Sequence, residues 1–339
     1  MDSQPQVGRL EHPVLLHRES TCNISVIIVN WNTYELLEKC LESIYNQTIN
    51  VTYEVIVVDN GSTDGSCEMV QVKFPQTILI RNEKNEGFAF ACNKGMRQAN
   101  GHYFLLLNSD TIIVNDAISQ IVQYMDENQR AGAGGCGLLN PDGSLQPACG
   151  WFPTLYSILA NFNPIGKLSN LIQKEYKYFP PPFLSYQEHL QEQDVDWIVG
   201  ACIIVRREAV EQAGLMDETM FFYAEEWDWC YRIKKNGWHI IYTPNPKIIH
   251  IGGGSTVVSL ANRVSAILNG QQYFYQKHLG FIKASIIKLM ILVGALGKGT
   301  FWSVLYILYF YSPDRRKLFL NKIKWHIYVL RWVFSLQGD

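Results

Sequence analysis

Apolar positions in the first hundred residues follow two alternating rhythms. The runs "NISVIIVNWN" (23 to 32) and "YEVIVVDNGSTDGS" (from Tyr53) begin as near-continuous β-branched stretches, the pattern of strands covered on both faces. Between them, "NTYELLEKCLESIYNQ" sets Leu36, Leu37, Cys40, Leu41 and Ile44 at helical spacing, with Asn32 and Glu35 in a capping-box pattern. A short helix to Phe74, a strand near "TILIRN", a helix over "GFAFACNKGMRQA" and a strand over 103 to 107 continue the alternation. Strand and helix in turn predict parallel pairing and a three-layer α/β sheet.

The pattern then loosens. "LLNPDGSLQ" predicts a hairpin turn at Pro141, Asp142 and Gly143, whereas 150 to 193 is rich in aromatics and prolines with little periodicity. Order returns with a strand and helix over "DVDWIVGACIIVRREAVEQAG", a helix over "EEWDWCYRIKKNG" ended by Gly237, and two short strands, "HIIYTP" and "KIIHIGGGST". No internal repeat is visible. Three parts are expected: a loose leader over 1 to 22, an α/β domain over 23 to 261, and a helical extension over 262 to 339.

Composition narrows the class. The chain has 339 residues, 47% of them hydrophobic and 18% charged, enough to bury a sizeable core. A formal net charge of -2 argues against a general nucleic-acid binder. The average hides an asymmetry, because nine Lys or Arg face only Asp314 and Asp339 from Phe281 onward. The segment 286 to 311 is strongly apolar but broken by Lys288, Gly294, Gly297 and Lys298, short of the roughly 20 uninterrupted apolar residues of a spanning helix. "RRKLFLNKIKWHIYVLRWVF" mixes basic and bulky apolar side chains and suits an anionic membrane interface, or alternatively packing on the sheet or on another subunit. The eight cysteines are scattered without a C-x-x-C pair, as expected of reduced structural thiols in a cytosolic setting, and the N-terminus has no apolar core of a secretory signal.

Polar elements gather where predicted strands end. Asn30, Trp31 and Asn32 follow the first strand; Asp59, Asn60 and Gly61 the second; Asn82 to Gly87 the third; Asn108, Ser109 and Asp110 the fourth. Ligands of open parallel sheets sit beyond these carboxyl ends. Asp59 offers an acceptor to a base N–H or a ribose hydroxyl, or else only caps the turn. Asp110 emerges from a buried strand with no Lys or Arg between Gly101 and Arg130, so a divalent cation bridging to a diphosphate would offset its desolvation. In "FFYAEEWDWCYR", Glu225, Glu226 and Asp228 crowd a helix N-terminus among aromatics. That could be an ordinary charged first turn. It also raises carboxyl pKa values, as a general base for a sugar hydroxyl requires. His250, before a glycine turn, is a candidate metal or phosphate ligand.

Taken together, "SVIIVNWN", "VIVVDNGSTDGS", "NEGFAFACNKG", "LLLNSD", "VGACIIVRR", "FFYAEEWDWCYR" and "IIHIGGGS" resemble the family 2 glycosyltransferases of GT-A fold, nearest the rhamnosyltransferase-like branch, over about 23 to 256. The resemblance implies an inverting enzyme that uses Mg2+ or Mn2+ and a nucleoside-diphosphate sugar in cell-surface polysaccharide synthesis. Its acceptor would be a glycan or lipid-linked hydroxyl, and its place the cytoplasmic, inner face of the cell membrane. It implies nucleotide-sugar binding by Val29, Asn30, Asp59, Asn85, Gly87, Asn93, Ser109 and Asp110, with Asp110 and His250 as metal ligands. The D-x-D-like motif begins with Asn108, which leaves one Asp for the metal. The acidic pair, usually Glu-Asp, is Glu225-Glu226 here; Glu226 is the expected base, with Glu225 the alternative. Trp197, Gly200 and Asp228 are expected on the acceptor side. A nucleotidyltransferase would want a basic residue near a triphosphate and a second metal-binding carboxylate, which the Asn108 turn lacks. A non-catalytic nucleotide-sugar-binding protein is the other alternative.

Overall fold

The β-branched runs pair side by side, since each must bury both faces and satisfy its backbone groups at once. The structure is a computed structural model describing residues 20–152, 183–220, 223–252 and 260–334. Nearly all of the expected leader, most of the aromatic and proline-rich stretch, Phe221, Phe222 and residues 253–255 of the glycine turn lie outside the described residues.

Strands β1 (Cys22–Asn30), β2 (Tyr53–Asp59), β3 (Ile78–Arg81) and β4 (Gly101–Asn108) lie in the order β3-β2-β1-β4, all parallel. Helices α1 (Tyr34–Gln47), α2 (Ser66–Lys73) and α3 (Phe88–Gln98) make the crossovers. Beyond β4 the sheet continues through the strand Cys202–Arg206, then β6 (Ala131–Leu139), the strand His239–His250 and finally β5 (Thr111–Ile113). Ile24, Val26, Ile27 and Ile28 of β1 are buried, Ile27 against Gly95 of α3, and α1 buries Leu37, Cys40, Leu41 and Ile44 in the same core.

The mostly parallel, helix-flanked sheet expected of the fold is found, with Cys202–Arg206 running antiparallel to both of its neighbours. Two expectations need correction. "HIIYTP" and "KIIHI" form one strand, His239–His250, whose register against β6 breaks between Tyr242 and Lys247. The Asn32 and Glu35 capping box is not made. Asn32 is left-handed (φ 52°) and accepts from the Thr63 amide at 2.8 Å, while Asp64 Oδ2 accepts from the Tyr34 amide at 2.8 Å. A carboxylate from the next strand's turn therefore caps α1 and ties the two loops together. Burial works against the charge of Asp64, but bonds from Ser66 and from backbone amides outweigh it and hold the carboxyl below its ordinary range.

The expected hairpin forms at 140–144, where Gly143 donates its amide to Asn140 O. All eight cysteines are unpaired thiols, seven of them buried. The C-terminal part is three helices, Leu260–Leu279, Phe281–Leu308 and Pro313–Phe334. Among the described residues no helix is long and apolar enough to cross a membrane.

Candidate active site

Register sets the strand ends beside one another. Asn30 pairs with Asp59, Asp59 with Arg81, and Val29 with Asn108, so the four polar turns emerge along one rim. On that rim Asp59 is 2% exposed. Its Oδ1 accepts from Asn30 Nδ2 at 2.7 Å and its Oδ2 from the Ser62 amide at 2.9 Å. Asn30 Oδ1 accepts from Thr33 Oγ1, which lies 2.6 Å away and 2.9 Å from Ser109 Oγ. Asp59, Asn30 and Ser109 thus belong to one hydrogen-bonded chain across β2, β1 and β4.

The loop after β3 closes the far side. Asn60 Nδ2 donates to Asn85 Oδ1 (3.2 Å) and to Gly87 O (3.1 Å), and Asn85 Oδ1 also accepts from the Gly87 amide at 3.0 Å. Gly61 has φ +77°, and a Cβ there would stand 2.8 Å from Lys84 Cα, so only glycine lets the two turns approach this closely. Asn93 is engaged elsewhere. It donates to Met216 O at 2.9 Å and accepts from the Met216 amide at 3.0 Å, clipping α3 to the segment leading toward the acidic pair.

Asp110 and His250 meet because β5 pairs antiparallel with the end of His239–His250, placing Thr111 opposite His250. His250 Nε2 lies 3.2 Å from Asp110 Oδ1, and Asp110 is 2% exposed. The imidazole is oriented by Gln146, a residue with no signal in the sequence pattern. Gln146 Oε1 stands 2.6 Å from His250 Nδ1, while its amide nitrogen donates to Asn140 Oδ1 at 2.9 Å. The amide oxygen can only accept, so Nδ1 carries the proton and Nε2 faces the carboxylate. This is the usual outer-shell arrangement of a metal-binding histidine. Among the described residues no group of three or more His, Cys, Asp or Glu could hold an ion alone. Two ligands of this kind fit a Mg2+ or Mn2+ site completed by phosphate oxygens and water.

The acidic pair heads the helix Glu225–Lys235. Tyr223 and Ala224 just before it are both left-handed (φ 72° and 70°), a costly local conformation that packing must hold. Glu225 is 5% exposed, and its Oε2 has no hydrogen-bond partner among the described residues. Burial, with the charge of Glu226 added, pushes its carboxyl well above the usual range. Glu226 is only partly buried, and desolvation raises it to about 7. Glu225 also abuts α3, where its charge helps burial push the Cys92 thiol upward.

Residues 197–201 join the two halves of the site. At one end the Asn108 amide donates to Ala201 O at 3.0 Å, and Val199 donates to Ala148 O, two residues from Gln146. At the other end Trp197 is buried against Trp227, ring centroids 5.3 Å apart, beside Glu226. Gly200 sits between, facing the Phe88 ring that opens α3. Asp228 is turned away from this segment. Its oxygens are held by Arg232 Nε (2.8 Å), Lys277 Nζ (2.8 Å) and His278 Nε2 (2.7 Å).

The sheet order, the flanking helices and the rim of polar turns are those of the GT-A fold. Residues 25–214 match the family described as Glycosyl transferase family 2, and the chain belongs to it. It is similar to the N-acetylglucosaminyl-diphospho-decaprenol L-rhamnosyltransferase of Mycobacterium tuberculosis, with 27% identity over 282 residues, 78% of this chain and 87% of that protein. It also resembles the O-antigen biosynthesis protein RfbC of Myxococcus xanthus, 23% identical over 71% of this chain but only 18% of that one. Among solved structures, the mannosyltransferase PcManGT of Pyrobaculum calidifontis, in complex with GDP-Man and Mn2+, superposes with a TM-score of 0.58 at 15% identity, covering 97% of this chain and 92% of that one. GalNAc-T7 with UDP, GalNAc and Mn2+ gives a TM-score of 0.51 at 18% identity, over 76% and 50%.

Proposed function

We propose that this glycosyltransferase moves a sugar, with rhamnose the leading candidate, from a nucleoside-diphosphate donor to a hydroxyl of a lipid-linked glycan, with inversion, in cell-surface polysaccharide synthesis. Its place would be the cytoplasmic, inner face of the cell membrane. The relative from M. tuberculosis, whose name describes rhamnosyl transfer to a diphosphate-linked polyprenol carrying N-acetylglucosamine, supports this choice of donor and acceptor.

The observation that carries the reading is the acidic pair: a buried Glu225 with an unpartnered oxygen beside a Glu226 raised to about 7. Two adjacent carboxyls in a dry pocket do not both ionise at neutral pH. The better-solvated Glu226 ionises first, and burial makes it a stronger base than an ordinary carboxylate. It accepts the proton of the acceptor hydroxyl as that oxygen attacks the anomeric carbon from the face opposite the leaving diphosphate. Asn30, Asp59 and the Asn85 to Gly87 loop receive the nucleoside, and Asp59 accepts from its base or ribose. Asp110 and His250 would hold Mg2+ or Mn2+, which supplies neutralisation of the charge growing on the diphosphate. Gly200 lines the acceptor side, and Trp197, buried rather than exposed there, backs that wall.

The test incubates the purified chain with a panel of nucleotide sugars, Mn2+ and a polyprenyl-diphosphate N-acetylglucosamine, following nucleoside diphosphate release and the anomeric configuration of the product by NMR. Product of inverted configuration, lost in Glu226→Gln, is expected. Pyrophosphate release, or donor binding without turnover, would overturn the reading.

A further inference from the structure

The helix Phe281–Leu308 leaves one face uncovered. Ile282, Ile286, Leu289, Val293, Leu296 and Val304 recur in steps of three and four, apart from the interval that holds Thr300, so they share one stripe. Their exposures run from 45% to 76%, while Ala284, Ile287, Ile291 and Ala295 on the opposite side are buried against the neighbouring helices. At 1.5 Å per residue the stripe is roughly 35 Å long. A continuous apolar face of that size on a protein surface marks an interaction site.

Charge decides between occupants. The same helical unit is basic: Lys283 is exposed at the stripe's start, and Arg315, Arg316, Lys317 and Lys324 are exposed on the helix Pro313–Phe334, which packs against Phe281–Leu308. From Phe281 onward nine Lys or Arg face two acidic residues, so a second copy laid against this face would bring like charge to like charge. An anionic lipid leaflet complements both features. Arg315 and Arg316 also lie over the Tyr309 and Tyr306 rings, at 4.8 Å each, making paired basic and aromatic groups of the kind that favour the headgroup level.

We infer that the exposed stripe of Phe281–Leu308 docks the enzyme on an anionic bilayer leaflet, with the basic residues of the same helical unit adding charge attraction. This rests on the lipid-linked-acceptor reading for its purpose but not for its evidence. The docked unit is fastened to the catalytic helix. Lys277 and His278 of Leu260–Leu279 both bond Asp228, and Gly270 passes so close to Tyr223 that a Cβ there would stand 2.2 Å from the Tyr223 carbonyl oxygen. A leaflet held by the stripe therefore sits at a fixed orientation to the acidic pair.

The test is sedimentation of the full chain, without donor, with vesicles of phosphatidylcholine alone or containing phosphatidylglycerol. Binding to the anionic vesicles is expected, weakened by salt. It should fall by about tenfold or more in Leu289→Glu/Val293→Glu, whose exposed positions leave folding, circular dichroism and donor hydrolysis in solution unchanged. Arg315→Glu/Lys317→Glu should lose the preference for anionic over neutral vesicles while keeping the stripe. The inference is overturned by absent binding of the unaltered chain, by undiminished binding of the stripe variant, or by a dimer in analytical ultracentrifugation that the stripe variant dissolves. Donor hydrolysis is read separately, so failure of vesicle binding and failure of the proposed transfer are distinguishable.

Discussion

His250 turns Nε2 toward Asp110, 3.2 Å from its Oδ1, because Gln146 holds the other ring nitrogen at 2.6 Å. If this pair is the metal site, Gln146 acts through the histidine. Gln146→Leu removes the acceptor that fixes the ring, and Mn2+ affinity measured with a nucleoside diphosphate present should fall by about 10–100-fold. Gln146→Glu keeps an acceptor at Nδ1 and should retain most of the affinity. Asp110→Ala should abolish binding, read by electron paramagnetic resonance of free Mn2+. Unchanged Mn2+ binding in both Gln146→Leu and Asp110→Ala would remove this pair from the metal site.

The acidic pair sets activity against stability. As the proposed base, Glu226 must be ionised to accept a proton, so the transfer rate should rise with pH through an apparent value near 7 and level off above it. Stability runs the other way. Burial raises the folded carboxyl from an ordinary 4.5 to about 7, so the folded state holds the proton more tightly. That stabilisation is complete below about pH 4.5 and is lost as pH rises through 7, on the order of 3 kcal/mol in all. Glu226→Gln should flatten this slope in thermal unfolding between pH 5 and 8 and lower transfer by about 10²–10⁴-fold. A variant with normal transfer and the parent's pH slope would show that Glu226 neither ionises in this range nor serves as the base.

Much of this arrangement was legible before any coordinates, and the unread parts share a cause. β1, β2 and α1 follow from apolar periodicity, because burial on one or both faces writes a local pattern. The Asp110 turn is visible because a carboxylate interrupts an apolar run. Direction is not written locally: Cys202–Arg206 is a short apolar run with either orientation open, and only its place between β4 and β6 makes it antiparallel. Gln146 has no signal, since its value comes from a hairpin folding back on His250, 104 positions away. The amide of Asn93 reaches Met216 across 123 positions, and Asp228 reaches His278 across 50. The motif residues were legible; the polar contacts that orient them were not.

Asn93 illustrates the consequence. Its side chain donates to and accepts from the same backbone unit, so Asn93→Leu would leave the Met216 amide and carbonyl buried without these partners. Each such loss costs about 1–3 kcal/mol. A drop of several degrees in melting temperature is expected, with donor affinity, measured below that temperature, changed by less than threefold as a rough bound for a residue acting through packing. A large loss of donor binding with unchanged melting temperature would instead put the side chain in contact with the nucleotide.

Asp228 fastens the catalytic helix to the C-terminal helices, and its charge is what does so. Burial alone would raise its carboxyl, but His278, Arg232 and Lys277 outweigh burial and hold it far below the ordinary range. A depressed carboxyl contributes stability that is present above about pH 3.8 and is lost as pH falls through the folded value, so this link should weaken only in acid. Asp228→Asn imposes the acid condition at neutral pH and removes the buried charge that Arg232 and Lys277 share, leaving Lys277 on Asp217 and Arg232 on backbone carbonyls. Removing one partner of such a buried cluster costs about 3–5 kcal/mol, whereas His278→Gln, which leaves Arg232 and Lys277 on the carboxylate, should cost less. Limited proteolysis should then cut Asp228→Asn between residues 235 and 260 at neutral pH, while the parent chain resists until the buffer is acidified. If the link also orients the docked helices, Asp228→Asn should keep vesicle binding but lose transfer to a membrane-embedded acceptor more than donor hydrolysis in solution. Equal losses in the two assays would confine Asp228 to stability.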